Sequence, residues 1–81
     1  MKEVGEVIHY YTRIGVAIIQ LIAPLSLRDR ILIKGATTNL EQDVTSMQIE
    51  HDDITKARAG QSIGLKVNSK VREKDKVFKI S

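Results

Sequence analysis

Residues 56–67, KARAGQSIGLKV, hold the reading that decides the fold. A short polar segment closes on Ala59-Gly60, and the chain then alternates: Ile63, Leu65 and Val67 fall on one side, Ser62, Gly64 and Lys66 on the other. That two-residue period is the signature of a half-buried strand, since successive side chains of extended backbone point to opposite faces.

Further strands are read on either side from apolar, β-branched runs bounded by turn residues. EVGEVIHYY (3–11) reads as a first strand ended by the turn-prone Thr12-Arg13, and IGVAIIQLIA (14–23) as a second, stopped by Pro24. RILIKG (30–35) makes a third, ended by Gly35. A longer fourth strand runs from Leu40 to about Ile49, and its parity slips between Val44 and Met47, which predicts a bulge at Thr45-Ser46. SIGLKV is the fifth and KVFKI (76–80) the sixth. One segment could hold a short helix, Ile54 to Ala59, capped by Asp52 or Asp53 and ended by Gly60.

Composition agrees. Eleven Ile, seven Val and five Thr place β-branched side chains throughout an 81-residue chain, which favours strands. The expected fold is all-β: a single domain, residues 1–81, forming a small closed six-stranded antiparallel β-barrel, because closure removes sheet edges that so small a sheet could not otherwise protect. A small sandwich is the competing architecture. A chain of this length buries roughly 60–65% of its unfolded surface, enough for one modest core.

No apolar run reaches the ~20 residues of a membrane-spanning helix, and the amino terminus carries charges where a signal peptide needs an apolar stretch, so a cytoplasmic location is expected. With no cysteine, disulfides, thiol nucleophiles and thiolate metal sites are excluded.

No chemistry-bearing pattern stands out. His9 and His51 do not sit at a metal-ligand spacing, and the cluster Glu50-His51-Asp52-Asp53 reads as a solvated acidic loop, its side chains alternating between two directions. The glycines form no phosphate-binding loop. No catalytic residue, metal or cofactor is expected, and the chain is read as non-enzymatic. The net charge of +3 permits a polyanionic partner. Lys70, Arg72, Lys74 and Lys76 alternate, and in extended backbone all four would face one phosphate strand. A separate surface is expected from Val16, Ile18 and Leu32, apolar residues pointing away from the core, which would make an exposed patch for a partner or a weak homodimer.

The order GEV, hairpin, RDRILIKG, a long strand reaching TSMQIE, then ARAGQSIGLKV and KDKVFKI resembles the second domain of translational GTPases such as elongation factor Tu, and stand-alone elongation-factor-like proteins. It is also similar to the barrel at the carboxy end of some collagenase-like peptidases. Arg28 stands where the factors usually have Gly, and Gln48 where they have an acidic residue packed against the terminal adenosine of transfer RNA. The resemblance implies binding of ribosomal RNA, tRNA or a translation protein, with a pocket around Gln48, His51 and Arg58. A protein-interaction or dimerisation module is the alternative function.

Overall fold

The computed structural model describes residues 1–80 and consists of ten strands: β1 (Lys2–Tyr11), β2 (Val16–Leu21), β3 (Leu25–Ser26), β4 (Arg30–Lys34), β5 (Asn39–Asp43), β6 (Met47–Ile49), β7 (Asp52–Ile54), β8 (Lys56–Ala57), β9 (Ser62–Lys66) and β10 (Lys76–Lys79). Eight of them form one sheet in the order β5-β4-β10-β1-β2-β9-β6-β7, every neighbouring pair antiparallel, and β3 pairs with β8 in a separate ribbon. No helix among the described residues is long and apolar enough to cross a membrane.

Alternation aims the core. Ala17, Ile19 and Leu21 of β2, Ile31 and Ile33 of β4, and Ile63 and Leu65 of β9 are buried, while Val16, Ile18 and Leu32 point the other way and are half-buried. In β1 the period must be broken, because Val4 and Val7 have opposite parity yet both are buried. A register shift between Glu3 and Gly5 in the pairing with β10 admits Val4, and a second, between Val7 and His9 against β2, pushes Ile8 outward. Gly5 allows the close approach of β2: a Cβ there would meet the Gln20 carbonyl oxygen at 2.7 Å.

The expected barrel is not closed. β5 and β7 end the sheet without pairing with each other, so the sheet curls into an open half-barrel. The expected fourth strand explains this. Its halves, β5 and β6, lie toward opposite ends of the strand order, and the chain crosses between them at Val44–Ser46, where the parity slip was read as a bulge. Gln42 replaces the missing ladder. Its buried amide donates to the carbonyl of Lys66 at 2.9 Å and accepts from the N–H of Asn68 at 2.8 Å, so one side chain tethers β5 to the end of β9. Nor is there a helix at Ile54–Ala59, which instead holds the end of β7 and β8. The β3–β8 ribbon brings Leu25 and Ala57 into the core.

Three turns share one construction. In Ser26–Asp29, Arg58–Gln61 and Arg72–Asp75 the fourth residue's N–H donates to the first residue's carbonyl, each at 3.2 Å. In each the fourth side chain also accepts from the first residue's N–H: Asp29 at 2.9 Å, Gln61 at 2.7 Å and Asp75 at 2.8 Å. The third position has positive φ every time: Arg28 at 75°, Gly60 at 91° and Lys74 at 77°.

Candidate functional site: a groove on the outer face of the sheet

On the convex face, the residues opposite one another across strands form rows. Tyr11 of β1 pairs with Val16 of β2, His9 with Ile18, Ile18 with Gly64 of β9, Gly64 with Gln48 of β6, and Gln48 with Asp53 of β7. Residues paired in this way share a face of the sheet. Gly64 puts no side chain into the row, and between the apolar groups of β1–β2 and the β6–β7 hairpin lies a groove of about 490 Å³. Tyr11, Ile14, Val16 and Ile18 line one side, Gln48, Glu50 and His51 the other.

The local sequence sets each wall. Tyr11 stacks edge-on against His9, ring centres 4.4 Å apart and planes at 75°, a favoured aromatic geometry. Ile14 is carried by the β1–β2 turn, which Lys66 holds by donating to the Ile14 carbonyl at 2.6 Å. Tyr11 is 48% exposed and Ile14 57%. The opposite wall is a two-residue hairpin turn, Glu50-His51, in which both residues have positive φ, 51° and 70°. That is the pair of angles for which Asn-Gly is preferred. Gln48 donates to the Asp53 carboxylate at 3.0 Å. No cation lies within salt-bridge distance of Glu50 or Asp53 among the described residues.

Val16, Ile18, Gln48 and His51 therefore meet, although sequence reasoning had put them in two different sites. Arg58 does not line the groove and belongs to the turn 58–61. Leu32 is on β4, separated from β2 by β10 and β1, so the expected three-residue apolar patch does not form. Tyr11, Ile14, Glu50 and Gly64 were missed as groove residues. The large exposed apolar groups beside the turn were a signal for the first two.

The expected basic row is broken as well. Residues 68–75 are not a strand: Val71 and Asp75 are buried and Lys74 takes the turn position with positive φ. Lys70, Arg72 and Lys74 remain exposed, but Lys76 lies on β10 and is 2.8 Å from Glu6 and 3.9 Å from Glu3. The hydrogen bond to Glu6 holds the Lys76 ammonium above its ordinary pKa. Arg30 is likewise raised by its hydrogen bonds to Asp43 and Glu41. His9 contacts Glu73 at 3.3 Å, both exposed.

No protein-family model matches the chain. Two structures of the C-terminal domain of a Geobacillus thermoleovorans protein described as a U32 peptidase share the fold: TM-score 0.93 at 21% identity over 98% of this chain and all of that one, and 0.92 at 20% identity over 99% and 93%. An uncharacterized protease of Methanocaldococcus jannaschii is 44% identical over 77 residues, 94% of this chain and 19% of that protein. A collagenase of Porphyromonas gingivalis is 37% identical over 78 residues, 94% of this chain and 22% of that protein. The chain thus spans about a fifth of the length of the curated relatives it matches.

These findings overturn the translation-factor reading. The likeness to elongation factor Tu rested on an Ala-Gly turn and strand order, which describe the backbone, and the similar proteins are proteases and a peptidase domain. The expectation of ribosomal RNA, tRNA or a translation protein as partner loses its support with it. The adaptor alternative had rested on the patch that does not form.

Proposed function

We propose that this chain is the non-catalytic β-domain of a U32-type peptidase, serving polypeptide cleavage performed by another part of that protein. One observation carries the reading: nearly the whole chain matches only about a fifth of proteins named protease or collagenase. The described side chains supply a reason for dividing the labour. Nucleophilic catalysis needs a hydroxyl or thiol within hydrogen-bond reach of a base. Here the His9 ring nitrogen contacts Glu73 and His51 sits at a hairpin tip, neither bonded to a serine or threonine among the described residues.

The test is cleavage of dye-labelled gelatin by the 81-residue chain alone and by the full-length archaeal relative with and without its matched 77 residues. No cleavage by the chain, with reduced turnover of gelatin by the shortened relative, is expected. Cleavage by the chain alone, or a shortened relative as active as the whole, would overturn the reading.

A further inference from the structure

Of the five glycines, four are required by positive φ or by a neighbour where a Cβ would stand. Gly15 and Gly60 have positive φ, a Cβ on Gly5 would strike the backbone of β2, and one on Gly35 would land on the Asp75 carboxylate. Gly64 answers to none of these. Its φ is ordinary, and an added Cβ would find Val16 at 3.4 Å and the Gln48 carbonyl and Ile18 at 3.8 Å, all normal contacts. Glycine inside a strand is otherwise unfavourable, because it has the most backbone freedom to lose and no side chain to pack. What its bare Cα leaves is the trough of the groove.

We infer that the groove over Gly64 is a peptide-binding cleft, and that its occupant is a polypeptide segment combining apolar anchor residues with Lys or Arg. The inference deepens the peptidase-domain reading and rests on it for the polypeptide nature of the ligand. Size fits, since about 490 Å³ lies within the range of ligand clefts, ~300–1,000 Å³. The floor and near wall, Val16, Ile18, Tyr11 and Ile14, offer apolar contact and one ring face. Charge complementarity fixes the rest. Glu50 lines the far wall with Asp53 next to Gln48 behind it, two carboxylates with no cation within salt-bridge distance among the described residues. An apolar segment bearing a basic side chain buries the first surface and neutralises the second.

The protein's overall charge makes the test discriminating. At +3, non-specific attraction favours an acidic peptide, whereas the cleft favours a basic one. Fluorescence anisotropy with two fluorescein-labelled peptides, one alternating Leu and Arg and the other Leu and Glu, separates them. The Leu-Arg peptide is expected to bind at least tenfold tighter. Gly64→Val, which fills the trough, should cut that binding at least tenfold while the melting temperature holds or rises, and Glu50→Lys should erase the preference for the basic peptide. If Gly64→Val disturbs folding, Gly64→Ala and Ile14→Ser take its place with the same expectation. Equal or tighter binding of the acidic peptide, or unchanged affinity in the trough-filling variants, would overturn the inference. So would sedimentation equilibrium showing a wild-type dimer that Gly64→Val abolishes, because a second copy would then occupy the cleft. The gelatin assay does not bear on these outcomes, so peptide binding can fail while the peptidase-domain reading stands, and the reverse.

Discussion

Arg28, Gly60 and Lys74 occupy one backbone position in three turns of the same build, yet only one of them is the residue that position favours. A side chain in left-handed backbone costs about 1–2 kcal/mol, and glycine gives back about 0.4–1 kcal/mol through the freedom of the unfolded chain. Arg28→Gly and Lys74→Gly should therefore each raise stability by about 0.5–1 kcal/mol, a shift of a few degrees in melting temperature for a domain of this size. Gly60→Ala should lower it by about 1 kcal/mol, through backbone angle alone, since nothing lies within 4 Å of the added carbon. Calorimetry of the three variants checks both signs. At this scale the sequence was partly legible. Arg28 was marked as standing where related turns carry glycine, whereas Lys74 was read as one of a row of phosphate contacts because a single turn residue carries no period. Gly64 was legible as a glycine in a strand. Its consequence was not, because a missing side chain makes a groove only when Val16 and Gln48 are known to flank it.

Among the elements, β9 could be read from alternation alone, having five residues in which to show it, and β2 from an apolar run stopped by Pro24. The two- and three-residue strands β3, β7 and β8 could not. Too few positions exist to display a period, and Asp52-Asp53 is a poor strand former by composition. Closure was misread for a different reason. The link between β5 and β9 is one amide reaching partners 24 and 26 residues away, which no local pattern encodes. Gln42→Ala should cost about 1–3 kcal/mol by urea denaturation, since it leaves the part-buried Lys66 carbonyl and Asn68 N–H without their side-chain partner. Amide hydrogen exchange should rise first in residues 39–44, the edge that loses its tether.

Across the whole molecule, two clusters of strand charges are paired, β4 with β5 and β10 with β1, while a basic loop stays exposed. Glu41 and Asp43 take Arg30, and Glu6 takes Lys76, while Lys70, Arg72 and Lys74 stay exposed. Because folding raises the Lys76 pKa above its ordinary 10.5, the pair's contribution is complete below pH 10.5 and fades as pH climbs through the higher folded value. Thermal unfolding followed from pH 7 to 11.5 should show this alkaline loss in the native chain and less of it in Lys76→Met. Added salt should shrink the difference, as both partners are solvent-exposed.

The pairing of Lys2 with Lys79 places the two ends of the described fold side by side on neighbouring antiparallel strands. Tension applied through those ends would load the β1–β10 ladder as a zipper, one rung at a time, and not in shear. The domain would then yield at low force and from its termini inward, a compliant link in any longer chain that carries it, with the cleft over Gly64 outlasting the first rungs to open.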